Sequence, residues 1–355
     1  MRRIFITGGH YTPARAVIDE LLRLGGFEIF YLGRRFSMED DAAEALEFQE
    51  LKKIKRVNYI VINTGRLQRK FFIKPFQSLK AFSKIISGLV AGFWAVLKYR
   101  PNIILSFGGY VALPVVLVGK IFGIRVVTHE QTLSLGLANK IIERLADKVL
   151  VSYPQQADQR HVYTGNPIRR EILEVGNCHP RKNLIFVTGG NQGSHVLNMA
   201  LMEALPTLLK KYSVVHQTGD SKFGDYDNLY NRYKNNKNYK IYRFLSGKEM
   251  AENLSLASLV ICRSGANTVT ELRYLGKPAI LVPIFWSGGN EQVKNAQIIV
   301  RAGQGEMLTE DQLSSRSLVT LVNKMFSYLN YYQKNGLANK ATLSVDAASK
   351  IVDQL

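Results

Sequence analysis

The sequence Ile-Phe-Ile-Thr-Gly-Gly at residues 4–9 returns as Ile-Phe-Val-Thr-Gly-Gly at residues 185–190. Each copy is a short run rich in β-forming residues that ends in paired glycines, and apolar residues with helical spacing follow it. Strand, glycine turn and helix is the order in which a nucleotide-binding α/β half begins. The repeat therefore predicts an α/β chain made of two similar halves.

Further apolar runs alternate with helical patterns along both halves. They lie at 28–32, 57–62, 103–105, 125–128, 148–151, 214–217, 259–261 and 279–282. Continuous apolar runs of this length are typical of buried parallel strands. We therefore predict two facing Rossmann-like domains with parallel sheets and a ligand cleft between them, at the carboxyl ends of the strands.

Turn-forming residues separate the two halves. Gly165-Asn166-Pro167 and the polar stretch 176–182 predict a linker over 166–182. We expect a first domain at 1–165, a second domain at 183–335, and a C-terminal helix over 336–355 that packs back on the first domain.

Composition restricts the function classes. The 355 residues carry 47 Lys and Arg against 28 Asp and Glu, and this charge of +19 favours nucleic acid, anionic lipid or phosphorylated substrates as partners. The two cysteines lie outside any metal-binding spacing and indicate neither a disulfide framework nor a zinc site, which fits a reducing cytosol. No apolar run reaches the roughly 20 residues of a membrane span, so we expect no membrane-spanning helix. The N-terminal apolar run is too short for a signal peptide, so we expect no signal peptide.

Candidate ligand-binding residues form three clusters in the second half. Residues 189–194 follow a strand and open a helix, so their N–H groups and the helix dipole suit a phosphate; a tight turn without a ligand is the alternative. Glu271 lies about two turns into a later helix, where a carboxylate suits a ribose diol; a solvated surface Glu is the alternative. The amide-rich residues 283–296, which include Gln292, suit sugar hydroxyls; a flexible loop is the alternative.

In the first half, His10 follows the glycine pair at the turn from strand to helix. A histidine there can take the proton of an attacking hydroxyl, which is the one proton transfer that an inverting sugar transfer needs. Capping of the helix or contact with a phosphate is the alternative. Residues 108–110 and 128–131 each end a strand on the same edge, and we expect their side chains to reach the acceptor half of the cleft.

Several chemistries lack their motifs. No P-loop, nucleophile elbow or H-E-x-x-H is present, which argues against an NTPase, a serine hydrolase and a zinc protease. Asp225-Tyr226-Asp227 matches a metal-binding D-x-D, but it lies in a Tyr/Asn/Lys-rich stretch and not at a strand end. We predict no metal site. Nucleic acid is also disfavoured, because the cations accompany large apolar residues and no recognition motif is present.

Residues 66–98 alternate cations with large apolar side chains. This composition suits a segment that inserts apolar groups between lipid headgroups while its cations pair with anionic lipid. An ordinary amphipathic helix packed on the first domain is the alternative for 89–97. The predicted membrane-contacting residues are Phe71, Phe72, Phe76, Lys70, Lys74 and Trp94.

With these motifs the chain resembles the MurG family, peripheral membrane enzymes that add N-acetylglucosamine to lipid I in peptidoglycan synthesis. The resemblance covers nearly the whole chain. Its motifs, in the family's order, are Gly8-Gly9-His10 with Pro13 and Ala16, Gly108-Gly109-Tyr110, His129-Glu130-Gln131 with Asn139-Lys140, Gly165-Asn166-Pro167 with Arg169, Gly189-Gly190 with Gln192-Gly193, Cys262-Arg263-Ser264-Gly265-Ala266 with Glu271, and Gln292 with Asn295-Ala296.

The resemblance implies a GT-B fold and an inverting, metal-independent transfer from UDP-N-acetylglucosamine to lipid I, without a cofactor. It implies a location on the cytoplasmic face of the cell membrane, with other cell-wall synthesis proteins as further partners. The implied acceptor-binding residues are Gly9, His10, Tyr110, Glu130 and Asn139, with His10 as the catalytic group. The implied donor-binding residues are Arg169, Gly190, Asn191, Gln192, Gly193, Phe244, Arg263, Ser264, Gly265, Glu271 and Gln292.

The chain departs from the family at three places. The family usually has G-G-T-G-G-H where this chain has only Thr7-Gly8-Gly9-His10, so backbone donors expected for the acceptor's diphosphate are missing. Asn191 replaces a serine, and Thr132 replaces an asparagine. A GT-B transferase with a different lipid-linked or small acceptor, and a sugar-nucleotide 2-epimerase, remain alternatives.

Overall fold

The structure is a computed structural model that describes residues 1–36, 44–65, 75–133, 135–176, 180–190, 192–219, 223–285 and 288–355, with backbone alone at 46, 75–82 and 288. The strands are β1 Arg2–Thr7, β2 Phe27–Gly33, β3 Val57–Val61, β4 Ile103–Ser106, β5 Arg125–Glu130, β6 Lys148–Val151, β7 His161–Tyr163, β8 Leu184–Thr188, β9 Ser213–Gln217, β10 Tyr239–Tyr242, β11 Leu259–Cys262, β12 Ala279–Leu281 and β13 Gly305–Met307.

Helices alternate with these strands. They are α1 Tyr11–Leu24, α2 Leu46–Leu51, α3 Pro75–Tyr99, α4 Ala112–Ile121, α5 Leu137–Leu145, α6 Arg170–Glu174, α7 His195–Leu208, α8 Asp225–Tyr233, α9 Gly247–Leu256, α10 Ala266–Leu275, α11 Glu291–Arg301, α12 Ser315–Ser327, α13 Leu329–Lys340 and α14 Ala347–Val352. Within the described ranges, no helix combines the length and apolar character needed to cross a membrane.

The first sheet is parallel and has the order β3-β2-β1-β4-β5-β6-β7. Its central strands are buried on both faces, as their continuous apolar runs predict. Phe5 packs toward α3 and α4, whereas Ile4 and Ile6 pack toward α1 and α14. The direction of winding reverses between β1 and β4, and parallel sheets bind ligands at such a reversal.

The second sheet repeats this plan with the order β10-β9-β8-β11-β12-β13, also parallel. Its reversal lies between β8 and β11. Both sheets are therefore Rossmann-like, and the chain has the α/β fold class that the internal repeat predicts.

The chain divides into two compact units. One comprises Met1–Arg169 with Ser344–Leu355, and the other comprises Arg170–Leu343. The segment expected as a linker over 166–182 contains α6, and the single helix expected over 336–355 is instead the end of α13 followed by the separate α14. α14 packs on α1, where Ser349 Oγ donates a hydrogen bond to Glu20 over 2.7 Å.

Candidate functional site

The glycine turn after β8 is held by hydrogen bonds within itself. Gly190 N–H donates to Thr188 Oγ1 at 3.0 Å, and Gly193 N–H donates to the Gly190 carbonyl at 3.0 Å. Ser194 caps α7 by accepting a bond from Leu197 N–H. These two glycine amides are therefore occupied, and an anion at this turn would meet the first-turn N–H groups of α7. Gln192 is exposed, and Asn191 lies outside the described residues.

A second glycine turn, which we did not predict, follows β9 and packs against the first. A side chain at Gly193 would place its Cβ 2.1 Å from the Thr218 carbonyl oxygen, and one at Gly219 would lie 2.2 Å from Gly193 N. Both glycines also have positive φ, at 73° and 72°. Bare backbone is therefore required on both turns. The sequence signal was the Thr218-Gly219 pair directly after a buried strand.

Arg263, at the end of β11, is held by two neighbouring strand ends. Its Nη1 donates to the Val282 carbonyl at 3.1 Å, and its Nη2 donates to Glu310 at 2.5 Å. Its Nε is buried and has no hydrogen-bond partner among the residues that the structure describes. Glu310, which the sequence did not single out, therefore holds in one orientation the guanidinium that we expected to act on a nucleotide.

Ser264, Gln292 and Asn295 form one hydrogen-bonded group between the loop after β11 and helix α11. Ser264 Oγ donates to the Gln292 carbonyl at 2.8 Å, and Asn295 Nδ2 donates to the Ser264 carbonyl at 3.1 Å. The Gln292 side-chain oxygen accepts the Ile284 N–H at 3.1 Å. The structure thus brings together two of the predicted clusters, and Gly265 is the N-cap of α10 in the same loop.

The remaining donor-side predictions lie on separate elements. Glu271 is buried on α10 and lies close to Cys262. Burial of the Cys262 thiol and, to a smaller extent, the negative charge of Glu271 raise the pKa of that thiol to about 12. Phe244 is exposed just after β10. Arg169 is the last residue of the first unit before the chain enters the second.

The two aspartates of the Asp-x-Asp motif lie in different environments and have different partners. Asp225 is buried, and its carboxylate accepts bonds from His195 Nδ1 and Asn198 Nδ2, both at 2.7 Å. Asn198 Nδ2 also donates to the Thr218 carbonyl at 3.1 Å, so Asp225 anchors the second glycine turn. Asp227 instead pairs with Arg243 at the surface. Among the described residues, no group of three or more His, Cys, Asp or Glu is placed to hold a metal ion.

His10 lies at the turn between β1 and α1, half-buried. It occupies the N-cap position of α1 but its side chain makes no capping hydrogen bond, so the capping alternative does not describe it. Burial, together with the positive charge of Arg34, lowers the pKa of the imidazole from its ordinary value. The ring is therefore neutral near pH 7 and able to accept a proton.

The other first-domain predictions form a network under the glycine turns. Glu130 is buried, and its carboxylate accepts bonds from Thr132 and, at 2.7 Å, from Asn139 Nδ2. Burial raises the pKa of Glu130 in spite of these bonds. Asn139 Oδ1 in turn accepts the Gly109 N–H at 2.7 Å. Glu130 and Asn139, expected to reach the acceptor, here hold the 108–110 turn in place.

Tyr110 is half-buried at the end of that turn, and its hydroxyl lies 3.5 Å from Arg34 Nη1. Gly9, in the adjacent turn, donates its N–H to the Gly108 carbonyl at 3.0 Å. Arg34 was not predicted. Only its position in the sequence indicates a role at the site. Arg34 follows β2 directly, and the carboxyl ends of β2 and β1 lie at the same edge of the sheet.

The predicted membrane segment is only partly described. Lys70, Phe71, Phe72 and Lys74 lie outside the described residues, and Phe76 is described by its backbone alone. Trp94 is 64% exposed and lies with Ile86, Val90, Phe93 and Leu97 along one exposed stripe of α3. Phe93 also contacts exposed Phe122 after α4, with ring centroids 5.5 Å apart. We call these six residues the α3 patch.

Comparisons with known proteins give a consistent result. Residues 7–151 match the Glycosyltransferase family 28 N-terminal domain, and residues 184–353 match the Glycosyltransferase family 28 C-terminal domain. A UDP-N-acetylglucosamine--N-acetylmuramyl-(pentapeptide) pyrophosphoryl-undecaprenol N-acetylglucosamine transferase of Clostridium perfringens (strain SM101 / Type A) is 32% identical over 369 residues, covering 98% of each chain.

Two solved structures share the fold. The MurG structure of Acinetobacter baumannii has a TM-score of 0.72 at 24% identity and covers 100% of this chain and 99% of its own. The UDP-GlcNAc 2-epimerase of Neisseria meningitidis bound to UDP-GlcNAc has a TM-score of 0.65 at 13% identity and covers 99% of both chains. At these identities the likeness concerns the fold alone.

Two Rossmann-like domains that both match family 28 define a glycosyltransferase of the GT-B class. Within that class, the chain belongs to the MurG family.

Proposed function

We propose that the chain transfers N-acetylglucosamine from UDP-N-acetylglucosamine to lipid I, the undecaprenyl-diphosphate-linked MurNAc-pentapeptide, with inversion at the anomeric carbon, to give lipid II. The name and the full-length match of the Clostridium perfringens relative support this donor and acceptor. The observation that carries the proposal is the close packing of Gly193 on Gly219, because it keeps side chains away from the sheet edge where Rossmann-like domains bind nucleotides.

In this proposal the second domain binds the donor. The first turn of α7 holds the diphosphate through its N–H groups and the helix dipole, without a metal ion, and Gly190, Asn191, Gln192 and Gly193 form the turn that lets the diphosphate approach. Glu271 accepts hydrogen bonds from the ribose hydroxyls. Gln292, oriented by Ile284 N–H, binds the sugar hydroxyls. Arg169, Phe244, Arg263, Ser264 and Gly265 complete the donor site.

The first domain binds the acceptor next to His10. The acceptor hydroxyl attacks the anomeric carbon and forms the new C–O bond, while the bond to the β-phosphate oxygen breaks and UDP leaves. The hydroxyl proton passes to the imidazole of His10, which its lowered pKa keeps neutral and receptive. Gly9 and Tyr110 border the place where the acceptor hydroxyl would lie, and Glu130 and Asn139 hold the backbone of the 108–110 turn.

We further propose that the protein works as a peripheral enzyme on the cytoplasmic face of the membrane. An undecaprenyl chain keeps the acceptor in the bilayer, so the enzyme has to approach the surface. The α3 patch supports this, because exposed aromatic and aliphatic side chains on one helix face suit insertion between headgroups. The charge of +19 favours an anionic surface.

One assay tests the transfer. UDP release from UDP-N-acetylglucosamine is measured with and without a soluble lipid I analogue, and the sugar product is identified by mass spectrometry. The proposal expects UDP release only with the analogue, together with a disaccharide product. Release without any acceptor, with N-acetylmannosamine as product, would indicate an epimerase instead.

A further inference from the structure

Three backbone amides at the ligand edge of the first domain are already used. Gly9 N–H donates to the Gly108 carbonyl at 3.0 Å, Gly108 N–H to Ser106 Oγ at 3.1 Å, and Gly109 N–H to Asn139 Oδ1 at 2.7 Å. Pro13, in the first turn of α1, has no N–H to offer. These three amides are therefore not available to an anion bound beside His10, and Pro13 adds none, which favours a contribution from a side chain.

Arg34 lies at this edge. It follows β2, the neighbour of β1, and its Nη1 is 3.5 Å from the Tyr110 hydroxyl. Tyr110 belongs to the same turn as Gly109, where an added Cβ would lie 3.3 Å from Gly9 N. The guanidinium thus belongs to the loop cluster that carries His10, and its electrostatic effect on the imidazole agrees with this placement.

Arg34 is both fixed and accessible. Its Nε donates to the buried carboxylate of Glu47 at 3.0 Å, which holds the side chain in position. The side chain nevertheless remains 29% exposed. A guanidinium has five N–H donors in one plane, so the bonds to Glu47 and Tyr110 leave donors for a ligand. This planar geometry suits phosphate oxygens better than an ammonium does.

We propose that Arg34 binds the diphosphate of the lipid-linked acceptor and thereby sets the acceptor hydroxyl against His10. This inference rests on the proposed function, since it needs an acceptor that carries a diphosphate. It assigns to a side chain a contact that the Gly9 amide, which is bonded to the Gly108 carbonyl, cannot make. Arg34 is then a substrate-binding residue of the first domain.

The test is a set of steady-state measurements on the full chain, with two soluble acceptor analogues that carry either a diphosphate or a monophosphate. With the diphosphate analogue, R34A should raise the acceptor KM by about tenfold or more, because a charge-assisted contact is lost, and leave the donor KM within about twofold. With the monophosphate analogue, R34A should raise the acceptor KM by a smaller factor. The matched control is R35A, which removes the adjacent arginine and its surface pair with Glu44, and it should leave both KM values unchanged.

Unpaired Glu47 could disturb R34A, so a second variant removes both charges. R34Q combined with E47Q should still show the raised acceptor KM. The proposal is overturned if this double variant has the wild-type acceptor KM, if R34A behaves like R35A, or if R34A raises both KM values alike. If the wild-type chain shows no acceptor-dependent UDP release, the proposed function fails and the Arg34 assignment falls with it; normal wild-type turnover with normal R34A kinetics overturns the Arg34 assignment alone.

Discussion

Arg263 and Glu310 meet over 2.5 Å, although they lie in the loops that follow two different strands, β11 and β13. Their side chains are only 12% and 23% exposed, so water screens this ion pair little. A second bond to the Val282 carbonyl leaves the guanidinium a single orientation. Glu310 therefore determines where the positive charge of the proposed donor site points.

This pairing gives the first prediction. E310A should weaken UDP binding, measured by titration calorimetry, by about 1.5–3 kcal/mol, because a charge-assisted bond that orients Arg263 is lost. In the R263A background the same change should have little effect, since there is no guanidinium left to orient. E306Q, which weakens the bonds of the Glu306 carboxylate with Lys324 and the Tyr332 hydroxyl and does not touch Arg263, is the control. Equal losses from E310A in both backgrounds would show that Glu310 acts independently of Arg263.

The Asp-x-Asp motif gives a prediction about stability. D225A should lower the free energy of unfolding by about 3–5 kcal/mol, because a carboxylate that is 2% exposed is removed from His195 and Asn198. D227A should cost less than about 1 kcal/mol, because its pair with Arg243 lies in water. Denaturant titration followed by circular dichroism measures both. Comparable losses would mean that the buried network does not anchor the second glycine turn.

His10 gives a prediction about pH dependence. A base has to be unprotonated, and the pKa of His10 lies below its ordinary value of 6.5, so kcat/KM should stay flat near pH 7 and fall only as the pH drops through that lowered pKa. H10A should reduce kcat about a hundredfold and abolish this acidic limb. H161A removes a different imidazole, which lies on β7 and is held by Asp158 and Glu143. This control variant should keep the acidic limb of the pH profile. An unchanged limb in H10A would assign the proton transfer to another group.

Membrane docking gives the fourth prediction. Changing Phe93 and Trp94 together to Ser should release the protein from phosphatidylglycerol vesicles in a sedimentation assay, because two large apolar side chains no longer insert. Tyr328 and Tyr331, exposed aromatics of the second domain, supply the control when changed to Ser. If both double variants sediment like the wild type, the docking surface lies elsewhere.

The sequence predicted the sheet interiors well and their edges poorly. β6, for example, has the predicted bounds 148–151, because a strand buried on both faces needs an unbroken apolar run. The three strands that were missed, β7, β10 and β13, all lie at sheet edges. An edge strand has one neighbour and more water around it, so His161-Val162-Tyr163 and Gly305-Glu306-Met307 carry no such run.

The site was predictable at the level of loops. Paired glycines after strands located the turns at 8–9, 108–109 and 189–190, because the carboxyl ends of parallel strands share an edge. Which side chains meet there depends on three-dimensional register. Arg263 and Glu310 are 47 residues apart, and Arg34 reaches Tyr110 across 76 residues. No local pattern encodes such pairs.

The position of α14 in the first domain affects the order in which the two domains fold during synthesis. Ile351 and Val352 lie in the same core as Ile4, Ile6 and Val17, so the first domain contains side chains from both ends of the chain. During synthesis this core stays incomplete until residues 344–355 have left the ribosome, whereas Arg170–Leu343 is already available to fold. The usual order, in which N-terminal domains fold first, should therefore be reversed. Chains released from the ribosome after Leu343, without Ser344–Leu355, would carry a complete second domain and an open first one.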